Sequence, residues 1–188
     1  MGEGRDVTPG RGVPPVGWKE AGVFGLFAAV FAVLFVGVPP IPLCGVGACI
    51  INPRPEAFLL PAALPFGMAA ILGVSAGVLS GALVYEAIHP TGITSVDALV
   101  AAGVFLAACL AGRRVLRRAP SWPGAVLATL AITGVATVLL GGYAYGLRGI
   151  GVPEAFTVIL GEAIIPINVA GALFLAWYPH WRAGEVSW

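Results

Sequence analysis

The sequence predicts an all-α integral membrane protein, a six-transmembrane-helix bundle with an outer loop between its first and second helices. Three observations carry that prediction. Only 10% of the 188 residues are charged, while 59% are hydrophobic. The mean hydropathy is +0.95. The charges are also segregated: between Val96 and Leu110 the only one is Asp97, then Arg113, Arg114, Arg117 and Arg118 crowd together, and the chain is uncharged again to Leu140. A soluble domain carries roughly a quarter charged residues, so the excess apolar surface has to face lipid. A basic knot between two apolar stretches of spanning length reads as a cytoplasmic loop.

Residues 1–17 are polar and rich in Gly and Pro, and read as a flexible cytoplasmic tail rather than a cleavable signal, because the apolar run that follows is too long for a signal core. Residues 18–180 form a single membrane domain, and residues 181–188 a cytoplasmic C-terminal tail. The first span runs from Trp18 to Val38 and stops at Pro39-Pro40, which cannot continue a helix. Ile41–Pro53 is apolar but broken by Pro42, Gly45, Gly47 and Pro53, and reads as a folded loop dipping back over the protein. Arg54–Ala87 would make a helix of about 51 Å, longer than a bilayer core. Pro61 and Pro65 divide it into a short helix, 54–64, and a full one, 66–87.

His89-Pro90-Thr91-Gly92 is a turn, after which Ser95 and Asp97 cap a fourth span ending near Gly112. The arginine knot then forms a loop. A fifth span covers 124–143, with 141–153 as a loop beyond it. Pro153 and Glu154 open a sixth span that ends near Trp177, where Trp177, Tyr178, Trp181 and Trp188 make an interfacial aromatic end.

Six spans put both termini on one side. With the termini inside, Arg5, Arg11, Lys19, Arg113, Arg114, Arg117, Arg118 and Arg182 are cytoplasmic, and only Arg54 and Arg148 are outside. That asymmetry follows the positive-inside rule and places the protein as a multi-pass cell-membrane protein. The net charge of +1, with no basic face interleaved with aromatics, excludes nucleic acid as a partner.

Few polar residues are left to carry chemistry. Glu162 lies about 12 Å below the outer end of the last span, where an ionisable group is costly unless paired or facing a cavity. It is either a pocket residue or a structural partner to a helix backbone. Asn168, deeper and on another face, reads as helix–helix glue. Asp97 and Glu154 are favoured charges at helix N-termini, whereas Glu86 near a C-terminal end requires a partner, His89 or Arg148. Cys44 and Cys49 in the outer loop can form a disulfide if that side is oxidising. Cys109 reads as a small buried hydrophobe, and no metal-ligand set is present. Ala28 and Ala32 sit on a small-residue ridge that serves either docking onto a partner's helix or packing within the chain.

The stretch Arg54-Pro-Glu-Ala-Phe-Leu-Leu-Pro-Ala-Ala-Leu-Pro, followed by the Gly/Ala-rich 67–81, resembles the second and third helices of substrate-binding S-components of energy-coupling factor (ECF) vitamin transporters. The resemblance is to the QueT-type group, associated with queuosine precursors, and spans about 20–178. Asp97 opening a small-residue helix, Leu160-Gly161-Glu162 in the last span, and the Ala28-x-x-x-Ala32 spacing also fit. The chain departs from the family in having only Pro55 between Arg54 and Glu56, and in its Cys44–Cys49 loop.

The resemblance implies a pocket beneath the outer loop that captures a small metabolite, a 7-deazaguanine or another vitamin. Its implied ligand-binding residues are Glu162, Glu56, Arg54, Asn52 and Tyr143, and its implied partner-docking residues are Ala28 and Ala32. Glu56 and Arg54 would contact an amine or lactam edge, or else form an interfacial salt bridge. Asn52 would bind a base edge or turn the loop. Phe58, Phe66, Tyr143, Tyr145 and Phe156 are candidates for stacking on a planar ring. The implied partners are the lipid bilayer, a transmembrane ECF scaffold and two cytoplasmic ATPases. The chain lacks a phosphate-binding Gly-x-x-x-x-Gly-Lys-Ser/Thr loop, so ATP would be used by those subunits and no cofactor is expected on this one. Two other functions compete. A ligand-free structural or assembly subunit would show no cavity near Glu162. An integral-membrane enzyme would need clustered carboxylates, a metal-ligand set or a Ser/His pair, and no catalytic residues are expected here.

Overall fold

The computed structural model describes residues 17–38, 43–45, 48–51, 54–152 and 167–174. Apart from one short hairpin and the connecting turns these are helical. The long elements are α1 (Trp18–Gly37), α3 (Met68–Ile88), α4 (Ser95–Arg118) and α5 (Trp122–Arg148), with the short α2 (Leu59–Phe66) between α1 and α3. The four long helices are each long and apolar enough to cross a membrane. Residues 167–174 add a further helical piece, and the rest of the expected last span lies outside the described residues.

The expected division of 54–88 into a short and a long helix is present. A 3-10 turn, Pro55–Phe58, leads into α2, and the break falls at Gly67, whose φ of +87° suits glycine. Pro65 is accommodated inside α2 and does not end it.

Two other boundaries differ from expectation. The arginine knot is helical: α4 runs through Arg117 and Arg118, where cations complement the negative end of the helix dipole. Likewise 141–148 is helical, not loop. Gly141, Gly142 and Gly146 are tolerated, and α5 ends only at Gly149 (φ +66°), past which Ile150 N–H donates back to the Ala144 carbonyl. The cap of α4 is Thr94, not Ser95. Its hydroxyl accepts from Asp97 N–H at 3.2 Å while Asp97 Oδ2 accepts from Thr94 N–H at 2.6 Å, a reciprocal capping box. Ser121 caps α5 by accepting from Gly124 N–H at 3.3 Å.

Between α1 and α3 the backbone of Leu43–Gly45 (β1) and Ala48–Ile51 (β2) forms an antiparallel ladder that sets Cys44 opposite Cys49. The expected outer loop is therefore a β-hairpin over these residues.

Helix directions follow from the contacts. On α3, Gly73 meets Phe24, Gly77 meets Ala28 and Gly81 meets Ala32. Both series advance by four, so α1 and α3 run parallel, one glycine ridge against one alanine ridge. A Cβ on Gly77 would stand 2.7 Å from the Ala28 carbonyl oxygen and 2.7 Å from Phe31 Cβ, so only glycine permits this approach. Two parallel neighbours require the chain to travel back between them, and α2 makes part of that return. Arg54, ahead of the turn that leads into α2, lies over Phe35 near the end of α1, while the last residue of α2, Phe66, packs on Phe27, with ring centroids 5.3 Å apart.

The remaining pairs are antiparallel. Ser75 Oγ donates to the Ala102 carbonyl at 2.8 Å across α3 and α4. Gly112 closes on Ile132, and Asp97 meets Tyr143, across α4 and α5. One end of the bundle thus carries Trp18, Gly67, the four arginines and Trp122. The other carries Phe35, Tyr85, Asp97 and Arg148.

α2 is the most enclosed element. Leu60, Pro61, Ala62, Ala63 and Leu64 are all buried, and α2 touches α1, α3, α4 and α5. Irregular backbone survives at membrane depth only in such protein-lined surroundings. Cys109 from α4, fully buried as expected, directs its thiol toward the Leu60 carbonyl, 3.8 Å away.

Candidate functional site

The chain enters α2 through Arg54-Pro55-Glu56, and this entry holds the most unusual polar group of the described residues. Pro55 suits the first position of the turn because it has no N–H to leave unbonded there. The turn directs Glu56 inward, where the residue is 3% exposed. Its Oε1 accepts from Arg54 Nη1 at 3.2 Å, while its Oε2 is buried without a hydrogen-bond partner. An unmatched buried polar atom costs on the order of 1–3 kcal/mol, more when charged.

Arg54 is held from a second direction. Its guanidinium carbon lies 4.9 Å from the centroid of the Phe35 ring, a cation–π geometry. Phe35 meets Tyr85 edge-to-face at 5.9 Å, and Tyr85 tilts against His89 at 5.0 Å. The carboxylate, the guanidinium and the ring therefore follow one another from α2 to α1, and the aromatic contacts continue onto α3. Chemically, Glu56 offers a free acceptor to an N–H or O–H donor, and Arg54 offers directed donors beside it.

The other expected site residues fall elsewhere. Tyr143 is not at this entry. Its hydroxyl donates to Asp97 Oδ1 at 2.6 Å, and Arg148 Nε stands 3.5 Å from the same oxygen. Arg148 Nη2 also donates to the Gly92 carbonyl at 3.2 Å. This joins α4, α5 and the α3–α4 turn in one clasp. The expected pairing of Glu86 with His89 or Arg148 is not made. Glu86 accepts from the backbone N–H groups of Thr91, Gly92 and Ile93 and from the Thr91 hydroxyl, so the turn's own donors satisfy it. Ala28 and Ala32 lie against Gly77 and Gly81 of the same chain, which uses that face for packing within the bundle.

Asn52, Glu162 and Phe156 lie outside the described residues. Of the other aromatic candidates, Phe58 is exposed and so is Tyr145, while Phe66 packs on Phe27. Asn168 is half-buried on the helical piece 167–174, next to the fully buried Ile167. Phe35 and Tyr85 are the site residues that the sequence reading missed. Their signal was weak, an aromatic near the same end of each of two apolar helices.

A buried hydroxyl series lines α5. Thr129 and Thr133 donate to the carbonyls one turn back, while Thr137 Oγ1 is buried without a partner. Among the described residues there is no group of three His, Cys, Asp or Glu side chains placed to hold a metal.

The chain matches no family model, no curated protein and no solved structure.

Proposed function

We propose that the chain is the membrane-embedded substrate-binding subunit of an ECF-type importer. It takes a small planar metabolite bearing N–H donors, a 7-deazaguanine or a vitamin of similar size, from outside the cell. Transport is driven by a separate transmembrane scaffold and two cytoplasmic ATPases. The termini are cytoplasmic, six spans cross the cell membrane, and the hairpin between α1 and α2 lies on the outer side over the ligand.

The single observation that carries this reading is Glu56 Oε2: a carboxylate oxygen, buried in an apolar bundle, with nothing bonded to it. Ionisable groups buried inside a membrane bundle are expensive and are candidates for ligand or ion sites. Its place supports the same reading, because short Pro-interrupted helices inside membrane bundles are where solute sites are built. Arg54 restricts the carboxylate to one orientation and supplies donors for a carbonyl on the same ligand edge. In this reading Glu162 and Asn52 complete the polar contacts, and the rings of Phe35 and Tyr85 supply apolar wall.

The test is equilibrium binding of 7-deazaguanines and B vitamins to purified protein. Saturable binding of one of them supports the reading. Silence across the whole set returns the chain to a ligand-free structural subunit.

A further inference from the structure

We propose that the arginine end of the bundle is a docking site for the phosphate headgroups of anionic phospholipid. The proposal rests on the membrane reading of the four long helices and is independent of any transported solute.

Arg113, Arg114, Arg117 and Arg118 occupy the end of α4, with Arg113 half-buried and the other three exposed. Arg113 and Arg117, like Arg114 and Arg118, stand four residues apart, and Arg114 and Arg117 stand three apart. Like charges at those spacings repel on a helix surface. The negative end of the α4 dipole offsets part of that repulsion. Among the described residues none of the four arginines is in an ion pair that would offset the rest. The flanking acids in sequence are Asp97, at the opposite end of α4, and Glu154, beyond the end of α5. At the arginine end the first turn of α1 brings Glu20 together with Lys19, which cancel each other.

The level of the patch identifies its counter-ion. Trp122 at the start of α5 and Trp18 at the start of α1 share this end, at 54% and 94% exposed. Indole rings at that position mark the headgroup layer of a bilayer. Exposed guanidiniums beside them reach lipid phosphates, which they bind in a forked, two-point geometry. Four arginines next to a spanning helix is the charge density at which anionic lipid is preferred over zwitterionic lipid.

The experiment uses the purified full chain in a neutral detergent, offered equal amounts of phosphatidylglycerol and phosphatidylcholine, with the retained lipid counted by native mass spectrometry. The expected result is at least about tenfold greater retention of phosphatidylglycerol. That preference should fall as salt is raised and disappear in Arg114→Gln/Arg117→Gln/Arg118→Gln. The milder Arg117→Gln/Arg118→Gln should lose part of it and guards against a misfolded triple variant. Equal retention of the two lipids, or an unchanged preference in either folded variant, overturns the proposal. So does displacement of the lipid by inorganic phosphate at matched concentration, which would assign the patch to a free anion. Displacement by a poly-glutamate peptide, with no lipid preference beforehand, would assign it to an acidic protein surface instead.

Discussion

Tyr143 donates its hydroxyl to Asp97 across 46 residues of sequence, at 2.6 Å. The bond closes one end of the α4–α5 pair, and Asp97 simultaneously caps α4 through Thr94 and stands beside Arg148. One carboxylate therefore holds a helix start, a neighbouring helix and a turn. Tyr143→Phe should lower the thermal midpoint by a few degrees, and Asp97→Asn should lower it further because the cap and the Arg148 attraction weaken as well. Ligand affinity should be unaltered in Tyr143→Phe. A normal midpoint in both variants would show that the clasp contributes nothing.

The α1–α3 contact makes a sharper stability prediction. Gly77→Leu must push α1 away, because even a Cβ would collide with the Ala28 carbonyl and Phe31. Overpacking of this kind costs about 1–3 kcal/mol. Gly25→Leu, on a face of α1 where nothing lies within 4 Å, should be tolerated. Thermal unfolding of the two variants in the same detergent decides the matter. Equal midpoints would refute the glycine-ridge packing.

At Glu56, stability and binding should separate. Glu56→Leu removes the unmatched buried oxygen, and the Arg54 it leaves behind is partly exposed, so water can take over its charge and the stability should change little. Arg54→Gln leaves Glu56 buried beside a weaker partner and should destabilise the protein by about 1–3 kcal/mol. A Glu56→Leu protein that unfolds well below wild type would indicate that the carboxylate is structural.

Sidedness can be read directly. With Cys109 buried and Cys44 and Cys49 replaced by serine, single cysteines at Ser121 and at Thr91 should react with an impermeant maleimide from opposite faces of the membrane, Thr91 from outside. Labelling of both from one face would contradict α4 crossing the bilayer.

Much of the fold was legible in the sequence because a lipid-facing helix announces itself by composition. Trp18–Val38 stands out for length and apolarity, and the length of 54–88 requires a break, although the break falls at Gly67 and both Pro61 and Pro65 lie inside α2. The ends of α4 and α5 were less legible. Arginine is a good helix former and suits a helix C-terminus, so charge marks the membrane boundary there but not the helix boundary.

Pairing was hidden for a different reason. Ala28 and Ala32 carry a spacing for close approach but no address. Only Gly73, Gly77 and Gly81 in register opposite them reveal that the partner is in the same chain. Arg54 and Glu56 were visible as candidates, since two charges in an apolar stretch need a reason. Their link to Phe35, and the unmatched oxygen, depend on the return path of the chain and leave no local trace. Tyr143 is equally suited to a ligand by its sequence position, and the Asp97 that holds its hydroxyl is 46 residues away.

The most direct measurement is a binding comparison between wild type and Glu56→Gln, titrated with the same 7-deazaguanine in lipid nanodiscs. Glutamine keeps the size of the side chain but removes its charge and one acceptor. The expected result is at least a tenfold loss of affinity, about 1.4 kcal/mol, in a protein whose thermal midpoint is not lowered. Undiminished affinity in Glu56→Gln would mean that the buried oxygen of Glu56 is not where the metabolite is held.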